Sequence, residues 1–184
     1  MVITFLVLFV LILCSAFFSA SEIAFFSIGR VRVQQLVEQK KKHVHHLLHL
    51  KKHPERVLIT VLIGNNIANI GASVLATLVA VDLFGSKGAG IATGTMTFLI
   101  LVFGEIVPKS FATSHAEHIA LWSAPIIRFL QMVFYPLVLF FEHIIVLSRK
   151  LTRMQKAADT VTREELRIMA KMAHEHGTLE ENEH

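Results

Sequence analysis

Asn65 and Asn69 lie four residues apart inside an apolar run, with Asn66 beside them. Four residues are close to one helical turn, so Asn65 and Asn69 share a face and Asn66 lies about a third of a turn away. A second apolar run carries Ser15, Ser19 and Glu22 at the same kind of spacing, with Ser21 next to them. A third ends on Gly104, Glu105 and Pro108. Pro108 has no N–H to offer, so it breaks or kinks a helix and leaves backbone carbonyls around residue 104 unpaired. Hydroxyl, amide, carboxylate and carbonyl oxygens are the ligands that hard cations such as Mg²⁺, Ca²⁺ or Na⁺ prefer. One or two carboxylates among neutral oxygens suit reversible binding better than a rigid anionic cage.

A plainer reading competes at each position. Ser15, Ser27, Ser73, Thr77 and Thr93, Thr95 and Thr97 read best as ordinary hydrogen-bonding glue between helices, with Gly64, Ala68, Gly71 and Ala72 permitting close approach. For Glu105 the balance reverses. A carboxylate beside a glycine, three residues before a proline, has no structural purpose as good as ion binding; its alternative is an ion pair with Lys109. Glu22 reads equally as a ligand, a rim charge or an interfacial residue, and Lys109 equally as a headgroup anchor.

The elements that must hold these residues are membrane spans. Residues 1–26, 57–81 and 88–107 each approach or exceed the roughly 20 apolar residues that cross a bilayer. With 53% hydrophobic residues and a mean hydropathy of +0.57, the composition is that of a polytopic all-α membrane protein rather than one globular domain. The spacing predicts spans over about 1–27, 57–83 and 88–108. The single cysteine, Cys14, excludes an internal disulfide. The N-terminal run has no basic region before it and no small-residue cleavage site after it, so it reads as a retained span.

Charge placement sets the orientation. Arg30, Arg32, Lys40, Lys41, Lys42, Lys51, Lys52 and Arg56 face only Glu38 and Glu55 between the first two spans. Such a short basic loop belongs in the cytoplasm, which puts the N-terminus outside and the C-terminus inside. Flanked by spans and lacking interleaved aromatics, this tract favours anionic headgroups over nucleic acid.

Residues 30–53 read as one or two interfacial amphipathic helices, with Val33, Leu36, Val37, Val44, Leu47 and Leu48 on the apolar side. His45 and His49 are one turn apart, but no cysteine or carboxylate completes a tetrahedral zinc set, so solvated histidines are the better reading. Residues 121–150 contain Pro125, Arg128, Pro136 and Glu142, and the basic Arg149, Lys150, Arg153 and Lys156 follow. A fourth crossing would carry those charges outside, so a kinked helix along the inner interface is expected. The transmembrane domain is thus expected over 1–156. Residues 157–184 read as the start of a cytosolic linker helix cut short at His184, opened by the capping box from Thr162 to Glu165 and stopped at Gly177.

Three segments together are more specific than any one. Phe18-Ser19-Ala20-Ser21-Glu22, Leu62-Ile63-Gly64-Asn65-Asn66-Ile67-Ala68-Asn69 and Phe103-Gly104-Glu105-Ile106-Val107-Pro108-Lys109 resemble the signature segments of the CNNM/CorC family, the cyclin M and bacterial magnesium-efflux transporters. The stretch from Thr162 through Glu181 is similar to the linker that precedes a CBS pair in that family. The resemblance implies a homodimeric transmembrane domain in the plasma membrane, with three spans per subunit and a belt-like interfacial helix. It implies Mg²⁺ as transported ion and Na⁺ as coupling ion, with the ion site on Ser19, Asn65, Asn69, Gly104 and Glu105 and with Ser21 and Asn66 as neighbours. The departure from the family pattern is that the CBS pair and the downstream CorC-type domain are not among these 184 residues, so what the resemblance implies here does not extend to nucleotide regulation. A membrane-anchored Mg²⁺ sensor or scaffold is the alternative. An intramembrane enzyme is disfavoured, because no Ser/His pair or His-Glu-x-x-His arrangement lies in the spans.

Overall fold

The computed structural model describes residues 1–151, with side chains through residue 148. The helix expected to open at Thr162 lies outside the described residues. Eight α-helices, a 3₁₀ turn and a π-helical segment make up the described chain, and no strand occurs among those residues.

Helix α1, Val2–Ser27, holds 26 residues without glycine or proline, about 39 Å of helix and enough to cross a bilayer. It ends at Ile28, whose backbone is extended (φ −78°, ψ 117°). The carbonyls that a helix end leaves bare are served by a side chain. Lys51 Nζ donates to Phe25 O at 2.5 Å and Ile28 O at 2.7 Å, and sits 4.3 Å from the Phe25 ring centroid. Its charge therefore meets the negative end of the α1 dipole.

The amphipathic stretch forms two short helices, α2 Arg30–Glu38 and α3 Val44–Lys52. Their turn puts Lys40 and His43 in the left-handed region (φ 53° and 64°). The apolar faces carrying Val33, Leu36, Val44, Leu47 and Leu50 are buried.

Helix α4, Pro54–Phe84, begins with a proline whose missing N–H costs nothing in the first turn. Gly85 (φ +65°) and the 3₁₀ turn Gly85–Lys87 reverse the chain, and α5, Gly88–Leu99, packs back on α4. A Cβ on Gly88 would lie 2.0 Å from the Ala80 carbonyl oxygen, so only glycine allows this approach. The π-helical segment Ile100–Ile106 then leads into α6, Val107–Ser114, with Pro108 in its first turn. Of the break or kink expected at Pro108, the break does not occur. The wider π turn, with its i→i+5 bonding, absorbs the proline's missing donor while the chain stays helical.

Helices α7, Ala116–Val133, and α8, Tyr135–Leu151, follow. They meet at an 84° bend, where Phe134 leaves helical geometry (φ −87°, ψ 10°). Pro136 opens α8, whereas Pro125 sits inside α7 without ending it. The kinked interfacial helix expected over 121–150 is therefore two helices that start earlier, at Ala116.

Helices through Ile145 form one compact unit. Its main core joins Phe18 and Phe25 of α1, Leu47 and Leu50 of α3, Val57 and Val61 of α4, and Ala120, Ala124 and Ile127 of α7. Arg32 clamps Glu117 of α7 at 2.7 Å, and Arg56 meets Glu142 of α8 at 3.1 Å. Above this core the helices expose large apolar side chains such as Phe5, Phe9, Ile70, Val74 and Phe98. In water that surface would be costly; in lipid it is at no disadvantage. Helix α1 and the Pro54–Ser114 region are apolar and long enough to cross a membrane, and the bent α7–α8 pair passes the same test if taken as one span. This is an all-α membrane protein.

Candidate cation site

Helices α1 and α4 and the π segment meet around a cluster of oxygens. Ser15 Oγ donates to Asn65 Oδ1 at 2.9 Å and lies 3.4 Å from Gly104 O. One turn further along α4, Asn69 Nδ2 donates to Glu105 Oε1 at 3.3 Å. Ser15 and Ser19 are fully buried. Ser19 Oγ and Asn69 Oδ1 are buried with no hydrogen-bond partner. An unserved buried oxygen is costly, and a bound cation would repay it.

Small residues bring these groups within reach. A Cβ on Gly104 would stand 2.7 Å from Ser15 Oγ, and one on Gly64 would stand 2.2 Å from the Phe18 ring. The absent side chains let α4 and the π segment close on α1. Pro108 cannot donate to Gly104 O, so that carbonyl is available to the Ser15 hydroxyl.

The sequence-derived residues separate into two groups. Asn65, Asn69, Gly104 and Glu105 gather at this junction, and Ser19 lies one turn along α1 from Ser15 on the same face. Asn66 faces outward and donates to Leu62 O of its own helix at 2.9 Å. Ser21 is buried with its hydroxyl unpartnered, but two residues from Ser19 place it on the far side of α1. Ser15, assigned to helix glue in the sequence reading, sits at the centre of the cluster. Its four-residue spacing from Ser19 was the signal. The alternative pairing of Glu105 with Lys109 does not occur; Lys109 Nζ meets Glu22 Oε2 at 3.3 Å.

Among the described residues no three of His, Cys, Asp or Glu stand close enough to hold a metal together. A cation at this junction would be held by neutral oxygens and one carboxylate, the hard-ligand set of Mg²⁺ or Na⁺ rather than of zinc. In α3, His46 Nδ1 lies 3.3 Å from Arg128 Nη1. Burial and then the Arg128 guanidinium hold the His49 imidazole below its ordinary value of 6.5. Burial, then Arg30, likewise lowers the Lys51 ammonium.

Residues 6–183 match the family model of the cyclin M transmembrane N-terminal domain. The chain belongs to this family. Its relatives include a UPF0053 protein of Haemophilus influenzae, 41% identical over 73% of this chain and 32% of that protein. The UPF0053 inner membrane protein YfjD of Escherichia coli is 36% identical over 84% of this chain and 37% of its own length. A polyamine export protein of Haemophilus influenzae is 31% identical over 98% of this chain and 45% of its length. The cyclin M domain here thus spans about a third of the length of the first two relatives. Within it, the oxygen cluster falls on the three polar segments that interrupt the apolar helices of this cyclin M domain.

Proposed function

We propose that this cyclin M domain is the membrane-embedded core of a Mg²⁺ exporter that exchanges Mg²⁺ for Na⁺ by alternating access. The observation that carries the reading is Asn69 Oδ1, buried without a partner beside the Glu105 carboxylate. Polar groups at membrane depth are expensive and persist where they serve a pathway. Ser15, Ser19, Asn65 and Gly104 O supply neutral oxygens around that carboxylate, enough to replace part of the hydration shell of Mg²⁺ without trapping it.

Export of a divalent cation runs against a membrane potential that is negative inside, at roughly 2.3 kcal/mol per charge per 100 mV. A driving ion is required, and Na⁺ entry supplies it. The basic loop from Arg30 to Arg56 supports a cytoplasmic placement of α2 and α3, hence an external N-terminus in the plasma membrane. A homodimer joined through its spans is supported by Gly90 and Gly94, whose Cβ positions on α5 meet nothing within 4 Å and leave a smooth strip for a partner helix. The chemistry is transport, with no catalytic residue.

The relative named as a polyamine exporter favours a second reading, in which the cargo is an organic polycation. Proteoliposomes decide between the two. Mg²⁺ efflux that requires an opposing Na⁺ gradient supports the first; spermidine flux with Mg²⁺ retained supports the second. Mg²⁺-dependent stabilisation without flux of either would make the protein a sensor.

A further inference from the structure

We infer that Glu22 and Lys109 form the cytoplasmic gate of the cation site, with the Lys109 ammonium acting as a tethered cation that occupies Glu22 until an incoming ion displaces it. The inference rests on the transport reading above and on its orientation.

Ser15, Ser19 and Glu22 follow one another on one face of α1 at spacings of four and three residues. Glu105 and Lys109 are likewise four apart, where the π segment passes into α6. The two faces meet in register at both ends. Ser15 Oγ lies 3.4 Å from Gly104 O, and Glu22 Oε2 lies 3.3 Å from Lys109 Nζ. Between them Ser19 Oγ is fully buried and has no hydrogen-bond partner. The line along which α1 meets the π segment and α6 therefore carries polar groups from the oxygen cluster to the ion pair, beside the apolar core that holds Phe18, Ala24, Phe25 and Ala112.

The pair stands at the rim of this seam. The Glu22 side chain is 22% exposed and that of Lys109 37% exposed, against 0% for Ser15 and Ser19. It lies toward the C-terminal end of α1 and in the first turn of α6, just past the π segment, and the C-terminal end of α1 is the one that the basic α2–α3 loop assigns to the cytoplasm. A cation entering there meets Glu22 first and must compete with Lys109 for it. A divalent ion competes better than a monovalent one, because its attraction to a carboxylate is twice as large. Once the ion has moved on to Glu105, Lys109 returns to Glu22 and its positive charge opposes entry of a second ion. The ion pair thus contributes selectivity for charge as well as closure.

The test uses the whole chain in nanodiscs, with the half-saturating Mg²⁺ concentration for thermal stabilisation as readout. Lys109→Gln removes the competitor and should lower that concentration by about three- to tenfold. Glu22→Gln removes the entry ligand and should raise it by a similar factor. Lys109→Arg keeps the charge and should leave it near wild type. If the two neutral variants shift it in the same direction, or neither shifts it, the pair is only a structural clamp and the inference is overturned. The charge-reversed double variant Glu22→Lys with Lys109→Glu retains an ion pair and a rim carboxylate, so its Tm without Mg²⁺ reports on folding separately. Mg²⁺ flux through wild-type proteoliposomes is measured in parallel. Absent flux with opposite-sign shifts would sink the transport reading and keep the gate; present flux with like-sign shifts would do the reverse. No Mg²⁺ stabilisation of wild type would overturn both.

Discussion

Asn69 of α4 donates from Nδ2 to Glu105 Oε1 of the π segment at 3.3 Å, and this bond leaves Asn69 Oδ1 buried with nothing to accept from. The amide thus orients the carboxylate and holds its own oxygen ready for a ligand. One turn earlier Asn65 Oδ1 accepts from Ser15. Asn65→Ala and Asn69→Ala should each weaken Mg²⁺-dependent thermal stabilisation, while Asn66→Ala, whose amide bonds only its own helix, should change it little. A ligand at 100 times its Kd stabilises by about 2.7 kcal/mol, so a tenfold loss of affinity is readable as a shift in Tm. Loss of the Mg²⁺ shift in Asn66→Ala alone would place the ligand face wrongly.

Glu105→Gln removes the one carboxylate that the described residues bring to the junction, while preserving side-chain shape. The variant should fold with a Tm near wild type and show no Mg²⁺ flux in proteoliposomes, because dehydration of a divalent ion then lacks charge compensation. Flux at the wild-type rate from folded Glu105→Gln would exclude this carboxylate from the pathway.

The glycines of α5 should behave oppositely on its two faces. Gly88→Ala pushes a methyl into the Ala80 carbonyl, a backbone atom that cannot swing away, and should cost about 1–3 kcal/mol. Gly94→Ala enters open space and should be neutral, or stabilising by up to about 1 kcal/mol through helix propensity. Gly94→Leu should separate a dimer packed on that strip without lowering the stability of the monomer. Denaturant titration in detergent and mass measurement in nanodiscs check the three variants.

Acid should loosen α3. The His49 pKa is lowered in the folded protein, by burial first and then by Arg128, Lys52 and neighbouring histidines. The unfolded chain therefore binds the proton more readily than the folded one. Stability is unaffected above about pH 6.5 and falls as pH drops below that value toward the lowered one. Because His49 is largely exposed the step is small. His49→Gln should flatten it in a Tm series between pH 7.5 and 5; an unchanged slope would assign the effect to other groups.

Orientation is testable at the turn between α2 and α3. Lys42→Cys, in a Cys14→Ser background, should react with a membrane-impermeant maleimide only from the cytoplasmic side, as the surrounding basic residues require. Labelling of intact cells from outside would invert the topology and, with it, the side on which Glu22 and Lys109 stand.

The sequence alone determined what is local. Hydropathy marks spans because crossing lipid demands a continuous apolar length, and helical periodicity puts Asn65 and Asn69 on one face because four residues make a turn. The chemical types in the three polar segments already pointed to a hard cation. What it left open lies between helices. Ser15 and Asn65 are 50 positions apart, and Ser15 and Gly104 are 89 apart; their meeting depends on how far each helix is rotated and how deep it sits. That is fixed by close contacts such as Gly64 on Phe18 and Gly104 on Ser15, not by any local pattern. The same packing decided that Ser15 faces the oxygens and Ser21 does not. It buried Gly88 and Ala92 of α5 and left Gly90 and Gly94 open on the other side. It also let the π segment absorb Pro108 without a break, and gave Lys109 to Glu22 rather than to Glu105. Local composition selects helices and ligand types, whereas the partner of each polar group is chosen by the rotation and depth at which the helices pack.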